Sequence, residues 1–154
     1  VDEAGSTTGP NQELDDGVVR LAEELAARRR TGEPLQYVTG MAGFRHLDLS
    51  VGPGVMVPRP ETELLAQKAM DVLPADGLVV DVGTGSGAIA LSIAQERPDA
   101  TVIATDASLD AARWARRNID SLALPVCLIA CDLLSALANA LKGRVQVVVA
   151  NPPY

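Results

Sequence analysis

The sequence predicts an α/β protein: a mostly parallel sheet with helices packed on both faces. Three observations point to it. Short apolar runs at residues 78–82, 101–105, 126–130 and 145–150 alternate with segments of helical period. That rhythm belongs to strands buried on both sides and joined by right-handed crossovers. A glycine-punctuated turn follows the first run directly, and an acidic or amide residue closes or follows each of the others.

The elements follow in order. Residues 1–12 are rich in Gly, Ser, Thr and Pro, the composition of a flexible leader. Leu14, Val18, Leu21 and Leu25 recur at helical spacing, so residues 13–30 form an amphipathic helix that Gly32 and Pro34 end. Its apolar stripe needs a partner surface, and 13–34 stands as a separate attachment. In 35–58, Leu47, Leu49 and Val51 alternate with His46, Asp48 and Ser50, which predicts a linker containing a small β-hairpin. Pro60, with Glu61 and Glu63 beside it, opens a helix through Leu73. The core, 59–154, then runs strand and helix in turn, with helices at 88–96, 108–120 (Ser108 as N-cap) and 133–141. The chain begins with Val1 and stops at Tyr154, just after a strand. Doubly wound sheets continue past that point, so the expectation is a partial core, with residues 145–150 as an exposed edge open to self-association.

Composition removes several function classes. The 154 residues are 47% hydrophobic and 21% charged, a globular balance, and no apolar run is long enough to span a bilayer. No signal-type segment opens the chain, so the cytoplasm is the expected location. Cys127 and Cys131, with His46 as the single histidine, cannot supply a four-ligand zinc site. They are expected to be reduced, partly buried thiols. A net charge of −7 argues against a nucleic-acid partner, which needs clustered Lys and Arg. Arg28-Arg29-Arg30, the one basic run, complements a helix C-terminus.

Two motifs carry chemistry. In the first, the strand Val79-Val80-Asp81-Val82 enters Gly83-Thr84-Gly85-Ser86-Gly87 and then a helix. This is the context of a nucleotide-type cofactor loop, although the spacing is neither the dinucleotide G-x-G-x-x-G nor a Walker loop. Asp106 closes the second strand at the offset where an acid meets ribose hydroxyls. Asp132 ends the third strand, where it suits an adenine amino group. Each acid alone would be a loop cap, but together on one rim they indicate a nucleoside-cofactor site. The second motif is Asn151-Pro152-Pro153-Tyr154, after the fourth strand. The prolines remove two amide donors, leaving the Asn151 oxygen and nearby carbonyls as acceptors beside an aromatic plane. That array suits a neutral –NH₂ on a flat π system.

Together, Asp81-x-Gly83-x-Gly85-x-Gly87 and Asn151-Pro152-Pro153-Tyr154 resemble the motifs of the class I S-adenosylmethionine-dependent amino-methyltransferases, which have a Rossmann-like fold. Upstream, Glu33-Pro34-Leu35-Gln36-Tyr37-Val38-Thr39-Gly40, Phe44, and Val55-Met56-Val57-Pro58-Arg59-Pro60-Glu61-Thr62-Glu63 closely resemble the HemK/PrmC family of protein-(glutamine-N5) methyltransferases. Those enzymes modify the Gly-Gly-Gln loop of peptide chain release factors. The resemblance implies S-adenosyl-L-methionine as cofactor and a release factor as protein substrate. It also makes the first helix the remnant of a helical substrate-recognition domain. Asp81, Gly83, Thr84, Gly85, Ser86 and Gly87 would then serve the methionine part of the cofactor and Asp106 the ribose. Asp132 and Leu133 would meet the adenine, with Asn151 also in reach of the cofactor. Asn151, Pro152 and Tyr154 would be the catalytic group. These three with Pro153, Arg59 and Glu61 would form the substrate slot and its mouth, near Glu63. Two alternatives stay open: a nucleic-acid amino-methyltransferase of the adenine-N6 type using the same slot, and a non-catalytic fragment.

Overall fold

The computed structural model describes residues 15–137, 139 and 141–152. The expected leader lies outside them. Helix α1 (Asp16–Arg30) starts at Asp15, whose carboxylate accepts the Gly17 N–H at 2.6 Å, and ends in the three arginines, where cations complement the dipole. None of its residues is buried; Val18 and Leu21 are 52% and 55% exposed. Arg28 ties it down, donating to both Glu33 oxygens (2.9 and 2.6 Å) and to the Tyr37 carbonyl at 3.0 Å. The next segment differs from the expected linker, because Leu35–Thr39 forms a short helix, α2, that follows Pro34 and stops at Gly40. Proline at the entry and glycine at the exit supply both boundaries. The hairpin then forms as expected from β1 (Met41–Phe44) and β2 (Leu47–Ser50), antiparallel, with Phe44 opposite Leu47 at the turn. Phe44, Leu47 and Leu49 are buried and Asp48 is exposed.

Helix α3 (Pro60–Val72) carries Pro60 at its first position and Glu61 and Glu63 in its first turn. Beyond it come β3 (Leu78–Val82), α4 (Ala88–Glu96), β4 (Thr101–Asp106), α5 (Leu109–Leu122), β5 (Val126–Ala130) and β6 (Val147–Ala150). The four strands of the core make one parallel sheet in the order β5-β4-β3-β6. The chain builds outward from β3 to β5, then returns to place β6 on the other side of β3. That reversal is a topological switch point, and ligands bind outside the strand ends there. Register aligns Val82 with Thr105 and with Ala150, so Gly83, Asp106 and Asn151 come next, side by side, on one rim.

One sheet face packs on the hairpin, α3 and α4 through Phe44, Leu49, Ala66, Leu91 and Val79. Helix α4 is buried from Ala88 to Ala94, which explains its lack of a polar face. At the hairpin turn Arg45 reaches back, its guanidinium donating to both Glu96 oxygens at 2.6 Å and to Gln67 at 2.8 Å. Its backbone N–H donates to Glu63 at 3.0 Å. The guanidinium holds the Glu96 carboxyl below its ordinary range, and the pair clamps the hairpin across two helices. Glu63, expected near the mouth of the site, therefore faces the hairpin instead.

The other sheet face buries Val80, Val82 and Ile103 under Leu137, with Leu134 and Leu141 alongside. Here the described residues of the expected helix at 133–141 form turns. Leu133 has φ 48°, and the segment closes in tight turns, Ser135 N–H to Asp132 C=O and Leu137 N–H to Leu134 C=O. A leucine spacing that would suit a helix is satisfied by turns, which bury Leu137 and still pack Leu134 and Leu141 against the sheet. The strand expected at 145–150 is shorter, starting at Val147. Gln146 precedes it, and its side-chain oxygen accepts the Leu78 N–H at 2.7 Å. Strand β6 is an edge of the described sheet, with Val148 54% exposed. Cys127 is exposed on the opposite edge strand, rather than partly buried, and Cys131 is half-buried.

Candidate active site

The glycine turn is bound to the neighbouring strand by its own backbone. The N–H groups of Gly83 and Thr84 both donate to the Thr105 carbonyl, at 2.8 and 2.9 Å. The Gly85 N–H donates to one Asp106 carboxylate oxygen at 2.8 Å, while the Ser108 N–H donates to the other at 2.8 Å. Asp106 thus locks the turn to the start of α5. A carboxylate has about four lone-pair sites, so both oxygens keep acceptor capacity toward the cleft.

The three glycines differ in purpose. Gly83 and Gly85 adopt φ 71° and 60°, a region where a side chain is strained. A Cβ on Gly83 would meet nothing within 4 Å, and one on Gly85 only Val55 Cγ2 at 3.9 Å. The backbone there borders open space, a cradle for a ligand. Gly87, at φ 88°, would instead strike Leu91 Cδ1 at 2.9 Å; it lets α4 leave the turn against α5.

Beneath the turn lies Asp81, 1% exposed. One of its oxygens accepts the Thr84 hydroxyl at 2.6 Å and the Ala90 N–H at 3.2 Å. The other has no partner among the described residues. Asp81 organises the turn from below and does not line the cavity. Burial pushes its carboxyl up to about 6, with nearby Asp106 adding to the rise against the two hydrogen bonds. A carboxyl raised on folding is stabilised as the neutral acid. Its contribution is therefore full below its ordinary 3.8 and lost as pH rises through about 6. Over that window wild type should lose about 3 kcal/mol more stability than Asp81→Asn. Urea unfolding of both at a series of pH values checks this, and parallel curves would mean that Asp81 titrates normally.

The cavity above the turn, about 230 Å³, is lined by Gly83, Thr84, Gly85, Ser86, Asp106 and Asn151, and roofed by residues 54–59. Of the residues expected in the site, Arg59 also lines it, while Glu61 does not and pairs with Arg59 at 3.7 Å on the surface. Asp106 pairs with Ala130 in register. Asp132 therefore falls two residues beyond the rim, not in the same layer, and neither it nor Leu133 lines the cavity. Pro152 is exposed next to Asn151; Pro153 and Tyr154 lie outside the described residues.

Sequence reasoning missed four supports. The Asn151 side-chain nitrogen donates to the Thr62 hydroxyl at 2.9 Å. The Tyr37 hydroxyl donates to the Val55 carbonyl, holding the roof, while Trp114 Nε1 donates to Pro53 C=O at 3.1 Å. Asn118, 2% exposed, accepts the Ser50 N–H (2.8 Å) and donates to Ser50 C=O (3.0 Å) and Ser86 C=O (2.9 Å). One signal for Asn118 was present: it shares the buried helix face of Ala111, Ala115 and Ile119, where an amide must find partners.

A family model described as the methyltransferase small domain matches residues 60–154, and one described as the PrmC N-terminal domain matches residues 1–40. The release factor glutamine methyltransferase of Streptomyces coelicolor is 50% identical over 137 residues, 85% of this chain and 47% of its own length. Its counterpart from Bifidobacterium longum is 43% identical over 150 residues, 90% of this chain and 51% of its own. The chain thus spans about half the length of the curated relatives it matches. Among solved structures, a 16S rRNA N2 G1207 methyltransferase of T. thermophilus, in complex with AdoMet and guanosine, superposes with a TM-score of 0.59. At 24% identity over 74% of this chain and 32% of that one, the likeness shows the fold. The resemblance to HemK/PrmC enzymes read from the motifs is borne out by these matches. With 60–154 making up more than half of its length, the chain belongs to the methyltransferase small domain family.

Proposed function

We propose that this chain forms the cofactor and acceptor site of a release factor glutamine methyltransferase. The observation that carries the reading is the rim at the switch point, where Gly83, Asp106 and Asn151 meet around one cavity. The open space over Gly83 and Gly85 fits S-adenosylmethionine lying against bare backbone. Asp106 would hold its ribose hydroxyls. Ala88 and Ile89 at the start of α4 line the same cavity, and the positive end of that helix favours the methionine carboxylate. Asp132 and Leu133, assigned to the adenine by the resemblance, would meet it from outside the cavity, past the end of β5. Arg59 would border the mouth.

When bound, S-adenosylmethionine supplies a methyl group on a positively charged sulfur, which keeps the bonding pair as the methyl leaves. The chain's task is to aim a poor nucleophile, since an amide nitrogen shares its lone pair with its carbonyl. The Asn151 oxygen and the Pro152 carbonyl accept the two hydrogens of the glutamine –NH₂, with Pro153 and Tyr154 completing the slot. Alignment of this kind supplies on the order of 7–11 kcal/mol in well-oriented reactions. The methylated nitrogen then gives its extra proton to water, so no histidine is required. We also place the protein in the cytoplasm; no described helix is long and apolar enough to cross a membrane.

Calorimetric titration with S-adenosylmethionine tests the reading. Saturable one-to-one binding is expected, weakened about 10- to 100-fold in Asp106→Ala by loss of charge-assisted hydrogen bonds. The release factor Gly-Gly-Gln loop should then be methylated at the glutamine nitrogen. A folded, monodisperse sample that binds no cofactor would sink the cofactor assignment. Methylation of adenine in DNA or RNA instead would sink the protein substrate.

A further inference from the structure

Asn151 presents two opposite chemistries on one side chain, an acceptor oxygen and a nitrogen with two donors. With the oxygen toward the cleft, the site takes hydrogens from a neutral –NH₂. With the nitrogen toward it, the site would favour a carboxylate or a carbonyl oxygen. The nitrogen is engaged 89 residues away in sequence, where it donates to Thr62 Oγ1 at 2.9 Å, a hydroxyl that can itself accept or donate. Thr62 is 8% exposed, in the first turn of α3, with its backbone N–H on the Arg59 carbonyl at 3.0 Å. Threonine in a helix takes two χ1 rotamers, and in the one present here the hydroxyl reaches Asn151. Thr62 and Asn151 both line the cavity.

We infer that Thr62 is the positioning residue that turns the Asn151 oxygen toward the acceptor, and so makes the site select a primary amide over an acid. The inference rests on the glutamine-directed reading for its substrate; the orientation of Asn151 stands apart from it. It also gives the Pro58-Arg59-Pro60-Glu61-Thr62 segment a defined purpose. Pro60 sets the first turn of α3, and that turn presents the hydroxyl to the end of β6.

Two variants separate orientation from packing. Thr62→Val keeps the shape and removes the hydroxyl; Thr62→Ser keeps the hydroxyl and removes the methyl. In ¹⁵N-labelled protein, the Asn151 side-chain amide proton bonded to Thr62 should exchange with solvent slowly in wild type and Thr62→Ser. In Thr62→Val it should exchange about ten times faster or more. Toward a release factor, Thr62→Val should lower kcat about 10- to 100-fold, well beyond any loss of S-adenosylhomocysteine affinity, and Thr62→Ser should stay near wild type. A Gly-Gly-Glu peptide, which wild type should bind more weakly than Gly-Gly-Gln, should lose that disadvantage in Thr62→Val. Slow exchange retained in Thr62→Val would overturn the inference, as would equal damage from both variants, which would make Thr62 a packing residue. If wild type methylates no release factor while exchange still depends on the hydroxyl, the substrate part falls and the orientation stands.

Discussion

Replacing Asn118 with leucine is expected to lower the stability of the protein by about 3 kcal/mol or more. The substitution leaves three backbone groups without partners: the half-buried N–H and C=O of Ser50 and the buried C=O of Ser86. Each orphaned group costs about 1–3 kcal/mol, and the apolar gain of leucine offsets only part of the sum. Against a total of about 5–15 kcal/mol for an ordinary domain, that is a large share. Asn118 joins the hairpin, α5 and the glycine turn at one point, so the loss should reach the site as well. Cofactor affinity should fall with stability. Urea unfolding followed by circular dichroism measures the first effect and calorimetric titration the second. A midpoint within error of wild type would show that the three groups find other partners.

Gly85→Val should abolish measurable S-adenosylmethionine binding, a loss of about 100-fold or more, while leaving the chain folded. Two costs combine. At φ 60° a β-branched residue is a strong outlier, with strain of about 1–3 kcal/mol. The new side chain would also extend from the turn into the open space that borders Gly85, under Val55. Since that space is the cradle, the loss falls on the ligand rather than on the core. Gly87→Val makes the contrast, because its Cβ meets Leu91 and should cost stability first. Near-normal affinity in Gly85→Val would show that the ligand lies elsewhere.

Most of the sheet was legible because its causes are local. The runs at 78–82, 101–105 and 126–130 needed only apolar continuity between turn signals, and the glycine turn announced itself by its position between a strand and a helix. Where local and tertiary demands diverged, the reading failed. The leucines of 133–141 carry a helical spacing, but turns suffice to bury Leu137 against Val80 and Val82 with Leu134 and Leu141 beside it. Asp132 was placed on the rim by strand-end logic. The register puts Ala130 there instead, and register is a property of pairing between strands that a single strand does not carry.

The sequence by itself determined the alternation of strands and helices, the switch-point motifs and the membership in the family. Turn chemistry and hydrophobic period act over a few residues and leave their marks in composition. Only the tertiary structure decided that Arg45 clamps Glu96, that Asn118 binds Ser50 to Ser86, and that Thr62 meets Asn151. These partners are 32 to 89 residues apart. A buried polar atom takes whichever partner packing brings within about 3 Å, and nothing along the chain records which one that is.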